Sequence, residues 1–284
     1  MDLKPTRNSL GRNPLSDALH RNPDVVINGQ GPGRHPPKGA SYHDLGTMIS
    51  EQGSGRHLNG ALHLRPGVVK NEQGSSHFSR RVRRLVDVAI RRRVNILCVH
   101  ETKWKGQKAK EVEDTGFKLW YTGATPSRNG VGILIDRSLK DGVVEVRRQA
   151  DRIILIRLVV GDSVLNVISA YAPQVGLSES TKIQFWEDLD SMVNTVPTSE
   201  KLFIGGDLNG HVGATNVGFE RVHGGFGYGS RSQEGEDVLN FALAYDLLIA
   251  NTVFKKRESH LVTFRSGQHS SQIDFILARR EDRT

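Results

Sequence analysis

The chain has 284 residues, a formal net charge of +8 and a pI near 9.7, which allows one large domain or two small ones and suits a polyanionic partner. No run approaches the roughly 18 apolar residues of a membrane span, and no apolar core of about 7–15 residues follows a basic start, as a secretory signal requires. The single cysteine, Cys98, excludes a disulfide scaffold. Inside the apolar run 96–99 it reads as the buried, reduced thiol of an intracellular protein, because its neighbours offer burial rather than the activation that a catalytic thiol needs.

Residues 1–75 carry seven of the ten prolines and eleven of the thirty glycines with almost no apolar periodicity. Such a segment buries too little surface to offset its ordering entropy, so it is expected to be disordered. From about residue 79 helices and strands alternate. Val82, Leu85, Val86, Ala89 and Ile90 recur at helical spacing between Arg80, Arg81, Arg83, Arg84, Arg91, Arg92 and Arg93, predicting a helix over 79–93. Its basic face is either a solvated surface or a phosphate contact. Residues 95–99 form a strand apolar on both faces and hence central. Extended runs follow at 130–135, 143–146, 153–160 and 164–171, with Asp141-Gly142 as a hairpin signal. A helix is expected over 180–196, capped by Ser180 and burying Phe185, Leu189, Met192 and Val193. Then come strand 202–204, a glycine-rich loop at 224–229 that reads as a surface turn, and a helix over 235–245 with Val238, Leu239, Ala242 and Tyr245 inward. Strand 247–251 and a final pair, 261–265 with 272–277, complete the series. Hairpins mixed with helices argue for an α/β sandwich rather than a simple parallel sheet.

The densest chemistry lies in KLFIGGDLNGHVG, residues 201–213. As alternate strand positions, Asp207 and Asn209 would face one spot, with Gly205 and Gly206 admitting a close backbone approach. A second reading is a strand followed by an Asx turn. Three other segments also place polar residues where apolar runs end: Glu101 after 96–100, Tyr171 after 167–170, and Asp274 with an apolar residue on each side. An acid in an apolar strand is costly unless it is paired or bound to a cation. Four segments, three of them bringing an acid and one a tyrosine, favour a site over coincidence.

ETKW (101–104), SAYAP (169–173), GGDLNGH (205–211) and SQIDFIL (271–277), in this order and at these intervals, resemble the endonuclease/exonuclease/phosphatase superfamily. RNGVGILID (128–136), residues 169–190 and residues 270–282 are most similar to its RTE/LINE-type retrotransposon endonucleases and the domesticated craniofacial-development-protein-2-like proteins. The resemblance spans about residues 79–282 and implies a four-layer, DNase I-like α/β sandwich occupying 76–284. It also implies hydrolysis of DNA phosphodiesters with Mg²⁺, or alternatively Mn²⁺; the expected location is intracellular, with the nucleus as one alternative, and not secreted.

By the same resemblance Glu101 is the metal ligand and Asp207 orients or deprotonates the attacking water. Asn209 fixes Asp207 or binds the scissile phosphate, Tyr171 donates to a phosphate oxygen, and Asp274 orients a histidine. Without the family, Tyr171 reads as an aromatic packed under a loop and Asp274 as a partner of Arg279 or Arg280. The sequence also departs from the family. The segment before the first helix, VKNEQGSSHFSRR (69–81), has no strand ending in Trp-Asn, and Asn59 is a poor substitute. No histidine follows Asp274, and His100 stands where the family usually has glutamine. The expectation is therefore a domain without its first and last strands and a nuclease activity that is weak or lost. The alternatives are a nucleic-acid-binding remnant and, disfavoured by the basic charge, a phosphatase or lipid phosphodiesterase.

Overall fold

The structure is a computed structural model that describes residues 74–125 and 128–280, with side chains from Phe78 onward. The expected disorder of residues 1–75, apart from the last two positions, and the weak candidate Asn59 lie outside the described residues. Helix α1 (Gly74–Arg92) is followed by β1 (Ile96–Val99), β2 (Lys108–Glu111), β3 (Lys118–Thr122), β4 (Val131–Ile135), β5 (Val143–Gln149), β6 (Ile153–Val160) and β7 (Ser163–Tyr171). Helix α2 (Glu179–Asn194), β8 (Lys201–Asp207), α3 (Gln233–Ala244), β9 (Leu247–Ile249), β10 (Phe264–Ser266), β11 (His269–Ser271) and β12 (Asp274–Arg279) complete the order.

Two sheets pack face to face. One runs β1-β4-β3-β2 and the other β5-β6-β7-β8-β12-β9. Strand alternation explains the layers. Leu97, Val99, Leu119, Tyr121 and Leu134 meet Val82, Leu85, Val86 and Ala89 of α1. Cys98, Trp120, Ile133 and Ile135 share a second core with β6, β7, β8 and the buried faces of α2 and α3. The order α/β/β/α is the expected four-layer sandwich. Strand β6 reads apolar at consecutive positions because both of its faces are covered. The outer stripe of α1 (Arg80, Arg83, Arg84, Asp87 and Arg91) stands in solvent.

Several local expectations change. Strands β2 and β3 were not read from the sequence; β2 is the fully exposed, charged KAKE, the composition that guards a sheet edge. Asp141-Gly142 makes no hairpin. It ends a 3₁₀ turn, Lys140–Gly142, that carries the chain from one sheet to the other, because β4 already has β1 and β3 as neighbours. Gly142 serves a close approach there: a Cβ would lie 2.4 Å from the Val159 carbonyl oxygen. Ser178, not Ser180, is the N-cap residue of α2. Tyr245 follows α3 half-buried, while Phe241 takes an inward position. The final pair is different as well. β10 pairs with β11 in a separate small hairpin, and β12 enters the large sheet between β8 and β9.

Candidate active site

Register aligns the site. β8 runs parallel to β7 with Asp207 opposite Tyr171, and antiparallel to β12 with Asp207 opposite Asp274. Tyr171, Asp207 and Asp274 therefore form one row across three adjacent strands, on the same face of the sheet. All three are buried. The strand does not stop at Ile204: Gly205, Gly206 and Asp207 all belong to β8. Gly206 is required by a close approach, since a Cβ would meet the Ala170 carbonyl oxygen at 2.7 Å.

Glu101 arrives from the other sheet. It follows β1 by two residues, and its Oε1 accepts a 2.5 Å hydrogen bond from the Tyr171 hydroxyl. Next to it His100 is buried, its Nε2 3.2 Å from Ser169 Oγ, so neighbouring residues of one short segment meet alternate positions of β7. The segment is strained: Glu101 and Lys103 have φ of 49° and 57°, a left-handed conformation that costs a non-glycine residue on the order of 1–3 kcal/mol. It is held by Thr102 N–H donating to the Gly130 carbonyl and Lys103 N–H to that of Asn129, at 3.0 and 2.9 Å. Lys103 folds over the acid, with Nζ 3.6 Å from Glu101 Oε2.

Asn209 corrects the strand-alternation reading. β8 ends at Asp207, Asn209 is left-handed with φ 47°, and its N–H donates to Asp207 Oδ1 at 3.2 Å. This is the Asx turn, favoured because Asn and Asp tolerate that conformation and bond their own backbone. The Asn209 amide points instead to the Ala172 carbonyl, 2.8 Å away. The structure brings Glu101, Tyr171, Asp207 and Asp274 together and sets Asn209 at the margin. The pairing of Asp274 with Arg279 or Arg280 is overturned: those guanidinium groups bond the carbonyls of Val196, Pro197, Glu200 and Arg221.

The loop carrying Asn209 is pressed against the start of α3. A Cβ on Gly210 would lie 2.5 Å from the Glu234 carbonyl oxygen, and one on Gly235 would lie 1.8 Å from that of His211. In an open helix Gly→Ala stabilises by about 1 kcal/mol. Here Gly235→Ala is expected to have the opposite sign, costing about 1–3 kcal/mol by overpacking. A urea melt showing increased stability would refute this close contact.

Burial, the Asp274 carboxylate and the Glu101 carboxylate hold the Asp207 carboxyl well above its ordinary range, in that order, against the Asn209 N–H and Arg152. Burial and the bond to Glu101 likewise raise the Tyr171 phenol, so Tyr171 is a fixed donor. Burial pushes the Cys98 thiol up to about 12, as expected for an inert thiol. Among the described residues, no three His, Cys, Asp or Glu side chains close on one point as a ready cage for a metal. The donors at the strand ends are nonetheless all oxygen, and a hard cation that keeps several waters needs only one or two carboxylates. Their mutual repulsion, seen in the raised Asp207, is what such a cation would relieve. The residues fit that group.

Sequence reasoning missed Arg152 and Lys103. Arg152 stands at the β6 end of the row, where its carbonyl accepts from Tyr171 N–H at 2.9 Å. Its Nη1 donates to the carbonyls of Tyr171 and Ala172 at 3.1 and 3.3 Å, its Nη2 to Asn129 Oδ1 at 3.0 Å, and its guanidinium sits 5.1 Å from the Tyr171 ring centre. The only signal was a charged residue directly before an apolar strand. Lys103 lay inside ETKW but carried no role of its own.

Residues 70–283 match the Endonuclease/Exonuclease/phosphatase family. Craniofacial development protein 2 of Bos taurus is 30% identical over 194 residues, covering 67% of this chain and 32% of that protein; the Tragulus javanicus protein is equally similar, with 33% covered. The chain thus spans about a third of the length of these relatives. Among solved structures, the endonuclease domain of TRAS1, a telomere-specific non-LTR retrotransposon, is 16% identical with a TM-score of 0.46, over 69% of this chain and 78% of its own. An AP endonuclease from Archaeoglobus fulgidus is 20% identical with a TM-score of 0.49, over 71% and 82%. Nucleases of the family generally use divalent metals. The match covers most of the sequence and all four motifs: the chain belongs to the endonuclease/exonuclease/phosphatase family.

Proposed function

We propose that this domain hydrolyses phosphodiester bonds of DNA with Mg²⁺, Mn²⁺ being an alternative, and that it descends from a retrotransposon endonuclease. The observation that carries the reading is the row Tyr171–Asp207–Asp274 facing Glu101 across the two sheets. Glu101, whose Oε2 lies beside Lys103, would hold the cation. When bound, Mg²⁺ would supply charge to a phosphoryl oxygen. Asp207, whose raised proton affinity suits a base, would take the proton of the attacking water. Tyr171 would turn its hydroxyl from Glu101 to a phosphate oxygen, stabilising charge as it develops. Asn209 would hold the Ala172 end of β7 in place, and Asp274 would keep Asp207 poised by repulsion.

A second reading, binding without cleavage, is favoured by one observation: Tyr171 and Lys103 already occupy both oxygens of Glu101. Supercoiled plasmid separates the two. The nuclease reading expects nicking that requires Mg²⁺ and stops with EDTA. Salt-sensitive DNA binding without nicking at any Mg²⁺ or Mn²⁺ concentration would overturn it in favour of the second.

A further inference from the structure

We infer that the paired loops 224–228 and 252–258 form a stacking platform for unpaired nucleobases beside the Asp207–Asp274 pair. Of the ten phenylalanines in the sequence, only Phe226 and Phe254 are exposed, at 43% and 49%, and both lie on these loops. The loops are joined. Gly224 N–H donates to Thr252 Oγ1 at 2.9 Å and Phe226 N–H to the Thr252 carbonyl at 3.0 Å. A Cβ on Gly224 would come within 2.5 Å of Val253 Cα. Farther along, the Tyr228 hydroxyl reaches Glu258 at 3.4 Å. The two rings are thereby held on adjacent segments of one surface rather than on independent turns.

Position and charge name the occupant. β9 runs antiparallel to β12 with Ile249 opposite Leu277, and the 3₁₀ turn Ala250–Thr252 that follows stays beside the Asp274 end of β12. Asn251 confirms the placement: its Nδ2 donates to the Asp274 carbonyl at 3.4 Å and its Oδ1 accepts from Ile276 N–H at 2.7 Å. The loop that leaves this point reads Phe254-Lys255-Lys256-Arg257, all exposed, with one acid, Glu258, engaged by Tyr228. Apolar rings alone would suit a protein or lipid. Two rings with a run of three cations after one of them suit a polyanion that also offers flat faces, and a single strand offers both, since its bases are free to stack and its phosphates pair with Lys and Arg. A duplex hides its base faces and would gain only the phosphate contacts. The inference rests on the nucleic-acid reading of the site and refines it: strands unpaired next to the scissile phosphate are preferred to continuous duplex.

The test measures binding in EDTA, so it does not depend on cleavage. A short labelled oligothymidylate and a mixed-sequence duplex are titrated by fluorescence anisotropy against the full chain and its variants, each checked by thermal melting. The double variant Phe226→Ala/Phe254→Ala should weaken single-strand binding by roughly 5- to 150-fold per stacked base lost and leave duplex binding within about twofold. Phe226→Leu/Phe254→Leu should lose most of the same affinity, while Phe226→Tyr/Phe254→Tyr should keep it. Removing Lys255, Lys256 and Arg257 as glutamines should lower the salt slope on the single strand by about 0.7 per contact. Leucine variants that bind like the parent, or equal losses on strand and duplex, would overturn the platform. Failure of the parent to cleave any nucleic acid with Mg²⁺ would instead sink the nuclease reading and leave these binding outcomes to be judged separately.

Discussion

Replacing Asp207 by asparagine should abolish Mg²⁺-dependent nicking and make the protein more stable. Both effects have one cause. Asp207 is buried at the end of β8, directly opposite Asp274 and within the field of Glu101. A proton-transfer group contributes typically about 10²–10⁴-fold, and the amide cannot accept the proton of water, so the rate should fall by at least about 100-fold. The amide also carries no charge to be repelled. In the fold the Asp207 carboxyl holds its proton above its ordinary range, whereas the unfolded chain releases it near about pH 3.9. Stability in the parent is therefore lost as pH rises through that value toward the raised one, and the loss is complete above it. The asparagine variant should gain little at pH 4–5 and most at pH 8, about 2–4 °C in Tm for each kcal/mol of repulsion removed. Melting curves at both pH values and a nicking assay decide the matter together. A variant that still nicks at the parental rate removes Asp207 from the chemistry; one that melts earlier than the parent at pH 8 shows that the repulsion is already balanced.

The sequence revealed this residue because its neighbourhood is local: an apolar run, two glycines, then Asp207 and Asn209. The burial of β6 and the inner face of α2 were legible for the same reason, since each follows from periodicity within one segment; the sandwich was legible from the succession of elements and the four motifs together. What failed depended on partners. β2 is a strand only because β3 offers it an edge, and nothing in KAKE says so. Asp141-Gly142 looked like a hairpin because a turn sequence does not say which sheet its next strand will join. For Asn209 spacing leaves the strand face and the Asx turn both open, and the fold takes the turn: β8 ends two residues before it, and the amide finds the end of β7 instead. The ordered motifs singled out Glu101 and Tyr171, but the hydrogen bond that joins them crosses 70 residues of sequence. Arg152 was invisible on the same ground: its partners at 129, 171 and 172 come together only once both sheets have formed.

Arg152 is also where the second large effect is expected. Its guanidinium bonds the carbonyls of Tyr171 and Ala172 and the side chain of Asn129. Asn129 and Gly130 in turn brace the strained segment at Glu101 to Lys103, and Asn209 shares the Ala172 carbonyl. One side chain thus ties together three segments that carry Glu101, Tyr171 and Asn209. Lysine cannot replace it, because one ammonium does not span the geometry of a planar fork. Arg152→Lys should cost about 2–4 kcal/mol in a urea melt, through charged hydrogen bonds lost and buried carbonyls left unmet. It should also lower kcat by about 10- to 100-fold with KM little changed, since misplacement of about 1 Å has that scale of effect.

Loss of stability alone would not establish positioning, and the fold provides the control. Arg279 likewise bonds three main-chain carbonyls, those of Val196, Pro197 and Glu200, but it does so at the far end of β12 from Asp274. Arg279→Lys should therefore destabilise to a similar degree while nicking proceeds at the parental rate below the melting range. If both variants slow nicking in proportion to their lost stability, Arg152 supports the fold and nothing more. If only Arg152→Lys slows it, the alignment of Glu101 with Tyr171 is set by a residue outside every motif by which the family is read.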